Sequence, residues 1–284
     1  FKKFECAPNA TLADICGDLP PKAQAQFITP LCLSALNTPV RAASAQVFLR
    51  VLRDAMFRFP KGSDFLLPRL DFSALFPQAA ARYVQARGGR VVCNQRVQSI
   101  THSGTGWLVD GQPFDRVVLA TTATEAARLA ANYAPPAWLQ AVQDLQYQAI
   151  ATVYASSPEA LPQPMLALAD SAEQPAQFVF DRGQLLPNTR HLLAFVISVC
   201  ALPKLELEAR VLAQAKAQLG LDVELVKTVI EKRATIAATP AAQASKVHLT
   251  QQLQDGLQVC GDYLHPYYPS TIEGAVQTAK ALLQ

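Results

Sequence analysis

A chain of 284 residues, half of them hydrophobic and 17% charged, can bury a sizeable core and form two domains, which excludes long disorder. Cysteines 6, 16, 32, 93, 200 and 260 form no C-x-x-C pair and the four histidines no H-x-x-x-H, so neither a metal centre nor a disulfide framework is expected. The net charge of +3 conceals an asymmetry, because residues 1–100 hold 13 Lys/Arg against 6 Asp/Glu while the remainder is net acidic.

Much of the basic excess lies in Arg41, Arg50, Arg53, Arg58, Lys61 and Arg69. It reads as a solvated helix face, or as a surface for an anionic membrane. Nucleic acid is the poorest fit, since no aromatic residues alternate with these bases. No window holds the roughly 18 consecutive apolar residues of a transmembrane helix, and Phe1-Lys2-Lys3-Phe4 is not a signal peptide. A cytoplasmic protein is expected, one that the basic helix would bring to the periphery of the inner membrane. The absent initiator methionine predicts that Phe1 is an internal start with residues upstream of it.

The first third reads as helical. Thr11-x-x-Asp14 predicts a cap and Gly17 a stop; Pro21 opens a helix that runs to about Leu36 with Asn37 at its end. A longer helix is expected after Pro39, with Val47, Phe48, Val51, Leu52, Ala55 and Met56 on its apolar half and Arg50, Arg53 and Asp54 pointing away. Another runs from Ser73 or Pro77 to Arg87 and ends at Gly88-Gly89.

The pattern then changes to strands: Arg90 to Ile100, Trp107 to Val109 and Phe114 to Thr121, joined by turns at Gly104-Thr105-Gly106 and Asp110-Gly111 into a β-meander. Thr122-x-x-Glu125 predicts a capped helix to about Asn132, and Pro135-Pro136 a boundary. Beyond it, strands are expected near 147–155, 176–181, 191–199 and 222–232, with one helix from Leu205 to Leu219 closed by Gly220.

The terminal segment is the most informative. Gly256 to Asp262 reads as a buried strand ending in Gly261-Asp262, and Ser270 to Val276 as a helix start capped by Ser270, with Glu273 closing a capping box. The loop between them is aromatic, Tyr263 to Pro269. A glycine there allows close approach to the backbone, and a helix N-terminus offers unpaired N–H groups to something electron-rich.

Val259-Cys260-Gly261-Asp262 followed by Ser270-Thr271-Ile272-Glu273-Gly274-Ala275-Val276 resembles the closing FAD motif of the flavin amine oxidase and phytoene desaturase superfamily. Gly88-Gly89-Arg90-Val91-Val92 with Arg96-Val97-Gln98-Ser99-Ile100, and Phe114 to Thr122, are similar to two further stretches of the same FAD domain. Thr29 to Pro39, Ala42 to Ala45, Leu67 to Leu70, Leu75-Phe76-Pro77, Lys232 to Thr235 and Thr239-Pro240 resemble the squalene-associated members, the hydroxysqualene dehydroxylases.

The resemblance implies an α/β fold with an α+β insert: an incomplete FAD-binding, Rossmann-like domain plus a helical and mixed-sheet substrate domain. Its segments would be 1–82 (helical, substrate domain), 83–132 (FAD domain), 133–250 (mixed sheet, substrate domain) and 251–284 (FAD domain). The family's N-terminal βαβ unit with its glycine-rich turn has no counterpart here, since Gly104-x-Gly106 lacks a third glycine and lies in a hairpin. FAD is therefore implied as the cofactor but not as one this chain retains alone, and the chain alone is expected to be inactive.

Carried over by position, Val97 would sit by the adenosine end, Ala120 and Thr121 beside the dinucleotide, Gly261 and Asp262 at the phosphate and ribityl side, and Ser270, Thr271 and Ile272 at the flavin pyrimidine edge. The implied substrate is an isoprenoid lipid and the implied reaction the reductive removal of the hydroxyl of hydroxysqualene. His265, Tyr267 and Tyr268 are the candidate proton donors to the departing oxygen. A phytoene or carotenoid desaturase, an amine oxidase, and a non-catalytic isoprenoid-binding module are the alternatives.

Overall fold

The computed structural model describes residues 4–187 and 189–283; the expected start at Phe1 lies outside them. The helical first part comprises α1 (Leu12–Cys16), α2 (Pro21–Ala23), α3 (Thr29–Leu36) and α4 (Ala45–Leu52), with π-helical turns at Gln24–Ile28 and Arg53–Phe57. Helices α5 (Phe72–Leu75) and α6 (Pro77–Gln85) lead to four short strands, β1 (Ile100–Ser103), β2 (Gly106–Val109), β3 (Gln112–Phe114) and β4 (Val117–Leu119). After α7 (Ala123–Leu129) and α8 (Pro136–Gln143) come β5 (Tyr147–Ser156), β6 (Met165–Ala167), β7 (Phe178–Asp181), α9 (Arg182–Leu185), β8 (Leu192–Ser198), α10 (Lys204–Leu219) and β9 (Glu224–Ile236). The chain closes with α11 (Pro240–Ser245), a 3₁₀ turn at Lys246–His248, β10 (Gln252–Gln254), β11 (Leu257–Val259), a 3₁₀ turn at Asp262–Leu264 and α12 (Ile272–Ala281).

Two compact units divide the chain. The first gathers residues 4–63, 96–148 and 233–283; the second gathers 64–95 and 149–232. These cuts differ from the segments expected at 82, 132 and 250. Residues 133–148 and 233–250 belong with the first unit, because α7 and α8 share one apolar core with β11 and the Trp138 indole donates to the Thr250 carbonyl at 3.1 Å.

In the first unit β1, β2 and β3 form the antiparallel meander, while β10, β11 and β4 form a separate sheet in which β4 and β11 run parallel. Phe114 to Thr121 is thus two strands rather than one, broken at Asp115-Arg116, since its second half turns away to pair with the end of the chain. Gly256 makes the close approach to β2 that this requires: at φ 71° it lies where a Cβ would meet the Trp107 ring nitrogen at 2.9 Å and the Asp115 carbonyl at 3.1 Å. Residues 90–99 are not a strand. Asp110 takes the N–H groups of Gln98 and Ser99 at 3.0 and 2.9 Å, so these donors are spent on a carboxylate rather than on a neighbouring strand.

Among the helices, Thr11 and Asp14 form a reciprocal capping box and Asn37 ends α3 in the left-handed region, both as the spacing predicts. The helix after Pro39 begins only at Ala45. Ser44 is its cap, held extended because its own N–H donates to the Ala238 carbonyl at 2.7 Å. Thr122 makes no capping bond to α7; Glu125 is instead drawn to Arg96 and Arg128 at 2.7 and 3.0 Å.

The second unit is built on a five-stranded sheet of order β6-β7-β8-β5-β9. Strand alternation separates its faces: Ala151, Val153 and Ala155 of β5, Val179 of β7 and Leu193, Phe195 and Ile197 of β8 share a buried core with Leu207, Val211 and Ala215 of α10. Gln214 of α10, fully buried, accepts from the Ala176 N–H and donates to the Ala176 carbonyl, both at 2.9 Å, and so fastens the helix to the strand edge. No helix among the described residues is long and apolar enough to cross a membrane.

Candidate functional site

Parallel strands leave their carboxyl ends side by side, and in open α/β sheets ligands bind just beyond such ends. Here β4 runs into Ala120-Thr121 and β11 into Gly261-Asp262, with the Cys260 N–H still donating to the Leu119 carbonyl at 3.2 Å. Ala120 and Thr121 are exposed. The two turns touch: a Cβ on Gly261 would lie 3.4 Å from the Thr121 carbonyl oxygen.

Gly261 is less open than its sequence suggests. Its φ of 161° is ordinary extended backbone, and its hydrogen positions are needed by the Tyr263 ring, 2.5 Å from a would-be Cβ. Its N–H donates to the Thr278 hydroxyl at 3.0 Å and its carbonyl accepts from that hydroxyl at 3.1 Å, which ties the turn to α12. Asp262 differs. Its carboxylate has no hydrogen bond or ion pair among the described residues, and its charge is felt by the buried Lys246.

Helix α12 starts one residue later than the capping-box pattern predicts. Thr271 is the cap, accepting from the Gly274 N–H at 3.1 Å, while Ser270 accepts from the Ile236 N–H at 3.0 Å and serves the neighbouring segment instead. Glu273 makes no return bond and is held by the Gln277 amide at 2.6 Å. The N–H groups of Ile272 and Glu273 find no acceptor among the described residues, and Ile272 is 60% exposed. The positive end of the helix dipole is therefore open.

The aromatic loop is a closed hydrogen-bond system. His265 donates from Nε2 to the Gln277 oxygen at 2.9 Å, because that amide's nitrogen is committed to Glu273. Its Nδ1 accepts the N–H groups of Tyr267 and Tyr268 at 3.2 and 3.0 Å. Burial, followed by the charges of Lys246 and Arg50, depresses its pKa against the help of Gln277, so the ring is the neutral Nε2–H tautomer. The Tyr268 ring stacks on it at 4.5 Å, and its hydroxyl donates to Asp54 at 2.6 Å. Tyr267 is 46% exposed.

Two partners of this loop carry no sequence signal. Lys246, buried, donates from Nζ to the His265 carbonyl at 2.9 Å and the Tyr268 carbonyl at 3.4 Å, and burial lowers its pKa to about 8 despite the attraction of Asp262. Asp54 accepts from Arg50 at 2.6 Å, Arg53 at 3.0 Å and Tyr268. Burial pushes its carboxyl up, but those three hydrogen bonds prevail and hold it at about 2. Arg50 and Arg53 thus share one carboxylate, which offsets one of their two charges, and the Arg50 guanidinium lies over the Tyr267 and Tyr268 rings at 5.7 and 5.5 Å. Beside these groups runs a groove of about 350 Å³ whose walls include Val51, Arg58, Phe59, Pro269 and Thr271.

Val97 joins the same unit through α7, where Arg128 donates to its carbonyl at 2.7 Å. The structure thus gathers Ala120, Thr121, Gly261 and Asp262 at the strand ends and sets the open turn at Thr271 and Ile272 on the helix bonded to Gly261. Ser270 and His265 are spent on internal bonds. Among the described residues no group of His, Cys, Asp and Glu could hold a metal ion.

Known proteins resemble this chain in sequence and in fold. The chain is 28% identical over 268 residues to a protein named hydroxysqualene dehydroxylase from Rhodopseudomonas palustris, covering 89% of this chain and 60% of that protein. It therefore spans about three-fifths of the length of that curated relative. An oxidoreductase from Methanosarcina mazei shares the fold at a TM-score of 0.70 and 18% identity, over 96% of this chain and 68% of that one. A putrescine oxidase with redesigned cofactor binding shares it at 0.65 and 16%, over 97% and 67%. Residues 19–281 match the profile of the flavin containing amine oxidoreductases, and with parallel strand ends set against an open helix start, the chain belongs to that family.

Proposed function

We propose that this chain forms the flavin end and the substrate-binding part of an FAD-dependent oxidoreductase that reduces hydroxysqualene to squalene. The observation that carries the flavin reading is the parallel β4–β11 pair ending beside the uncapped N–H groups of the ten-residue α12. The substrate reading is supported by the name of the Rhodopseudomonas relative and by the apolar cavity of the second unit.

The residues present fit the group in part. Thr271 and Ile272 would hold the pyrimidine edge of the flavin, where the helix dipole stabilises negative charge by roughly 0.3 to 1 kcal/mol. The unpaired Asp262 carboxylate would accept from ribityl hydroxyls, Ala120 and Thr121 would border the dinucleotide, and Val97 would lie toward the adenosine. Gly261 would contribute space rather than a hydrogen bond, because Thr278 already takes its N–H. Reduced FAD, when bound, supplies the hydride.

One of the chain's own residues would meet the departing oxygen. Tyr267 is the proton donor that remains among the three candidates, since the Nε2–H of His265 and the hydroxyl of Tyr268 are committed to Gln277 and Asp54. No glycine-rich βαβ turn is present for the ADP half, so the chain alone is not expected to retain FAD or to turn over.

The test is the full-length protein carrying this chain, with FAD, a reductant and hydroxysqualene, analysed for squalene by mass spectrometry. Squalene formation that falls on Tyr267→Phe supports the reading. Oxidation of a polyene or an amine without squalene would replace it by the desaturase or amine oxidase alternative; a full-length protein without a flavin spectrum would remove FAD altogether.

A further inference from the structure

Helix α4 widens into the π-helical turn Arg53–Phe57, and the chain then reverses over Arg58 to Gly62. Lys61 takes the left-handed conformation at φ 60°, and the Gly62 N–H donates to the Phe59 carbonyl at 3.1 Å. A Cβ on Gly62 would meet the Ala55 carbonyl at 2.6 Å, so the reversal packs back tightly on the end of its own helix. It holds two phenyl rings outward. Phe57 is 67% and Phe59 61% exposed, with Pro60 exposed beside them. Single exposed apolar residues are common on protein surfaces; two phenyl rings on one turn make an apolar tip.

The same stretch is basic. Residues 50–61 hold four cations, Arg50, Arg53, Arg58 and Lys61, against the single carboxylate of Asp54, a net of +3. Asp54 is spent on Arg50 and Arg53, while Arg58 and Lys61 are exposed and have no ion-pair partner among the described residues. The other acid on the wall of the adjoining groove, Glu273, lies on α12 and is bonded to Gln277. Cations interleaved with phenyl rings match the boundary of an anionic bilayer, where phosphates lie next to acyl chains. Nucleic acid fits less well, although Phe57, Arg58 and Phe59 do alternate. The Arg58 guanidinium lies over the Phe59 ring at 5.3 Å and the Phe4 ring is tilted against Phe57 at 5.4 Å. Base stacking needs an open ring face, whereas insertion into lipid needs only an apolar edge.

We propose that the turn Phe57 to Lys61 docks this protein on an anionic lipid bilayer, with Phe57 and Phe59 entering the boundary of headgroups and acyl chains and Arg58 and Lys61 meeting lipid phosphates. The contact is the turn after α4 and not the helix face expected from the sequence, whose Arg50 and Arg53 are drawn to Asp54. The groove walled by Arg58 and Phe59 then opens toward the bilayer, so that an apolar ligand passes into it from lipid. The docking does not rest on the functional reading above.

The experiment measures partition of the full-length protein carrying this chain onto sedimented vesicles of phosphatidylcholine, with and without phosphatidylglycerol. Binding is expected to the anionic vesicles alone and should fall as salt is raised, because the headgroup field is screened. Arg58→Gln and Lys61→Gln should each lower the partition coefficient about fivefold, the value of one cation near such a surface. Phe57→Ser should lower it by at least about as much. Phe59→Trp reports depth: brominated acyl chains should quench the added emission, since Trp107 and Trp138 are buried. A thermal melt of each variant establishes that it is folded.

Full-length protein that stays off anionic vesicles overturns the proposal and assigns the turn to a contact within that protein or between copies of it. Binding that survives Phe57→Ser combined with Lys61→Gln in folded protein overturns it too, as does quenching of Phe59→Trp no greater than that of the unsubstituted protein. Single-stranded DNA bound in place of vesicles, with the same dependence on Arg58, gives the turn to nucleic acid and rejects the bilayer. Vesicle binding through the turn without squalene formation upholds the surface and rejects the dehydroxylase reading. Squalene formation by protein that stays off the vesicles does the reverse.

Discussion

The loop after β11 and the open face of the five-stranded sheet treat polar groups in opposite ways. In the loop, Lys246, His265, Gln277, Tyr268 and Asp54 satisfy one another in a chain of bonds between 2.6 and 3.4 Å. On the sheet face, Arg182 stands against apolar walls with a buried Nε and no partner among the described residues. A completed network fixes a shape, whereas a buried donor left unpaired is a standing cost. The loop is therefore a support that presents the Asp262 carboxylate and the α12 N-terminus, whereas the buried Nε of Arg182 is an unmet donor that the fold carries as a cost.

Substitutions break the comparison in order of size. Lys246→Met leaves two buried carbonyls without a donor and should lower unfolding free energy by about 3 kcal/mol in denaturant titration. Because burial holds the Lys246 pKa at about 8 in the folded chain against 10.5 ordinarily, the unfolded state binds the extra proton between those values. This residue's contribution therefore rises with pH across that window, and the gap to the variant should widen there. Gly261→Ala should cost about 2 kcal/mol, since a Cβ collides with the Tyr263 ring while the extended φ adds no strain.

Asp54→Asn should cost on the order of 1 kcal/mol, after screening by solvent, and should also change the acid limb of stability. Asp54 has a folded pKa of about 2, below its ordinary 3.8, so its contribution is complete above pH 3.8 and is lost as pH falls through 2. Acid titration of the variant should lack that drop. Thr271→Ala removes the true cap of α12 and should cost about 1 kcal/mol. Arg182→Met should sit at the small end, neutral or stabilising by up to about 1 kcal/mol, because it removes a buried donor that has no partner among the described residues to lose. A large destabilisation there would mean that the guanidinium supports the fold, and the contrast between the two regions would fail.

Much of this organisation was legible along the chain. The capping box at Thr11 and Asp14, the αL end at Asn37, the strands β5, β7, β8 and β9 and α10 with its Gly220 stop all follow from spacing, because each depends on neighbours within a few residues, whereas the short β6 went unread. The Gly261-Asp262 ending and the helix after it could be seen for the same reason. What misled was sharing. Ser270 has the right spacing to cap α12 and Thr122 to cap α7, yet Ser270 is used by Ile236, while Glu125 is held by Arg96 and Arg128. A side chain bonds whichever donor the fold brings nearest, and sequence distance does not report that.

Sequence by itself determined the local alphabet of this protein: the helix stops, the alternating strands and a glycine-acid turn ahead of a helix, all set by backbone sterics and short-range hydrogen bonding. Tertiary structure alone decided that Val117–Leu119 leaves the meander to lie parallel to Leu257–Val259, that Asp54 pairs with Arg50 and Arg53 and receives the Tyr268 hydroxyl, and that the Nε of Arg182 is buried without a partner among the described residues. Each depends on contacts between residues far apart in the chain, whose formation is governed by burial and by the competition of polar groups for partners.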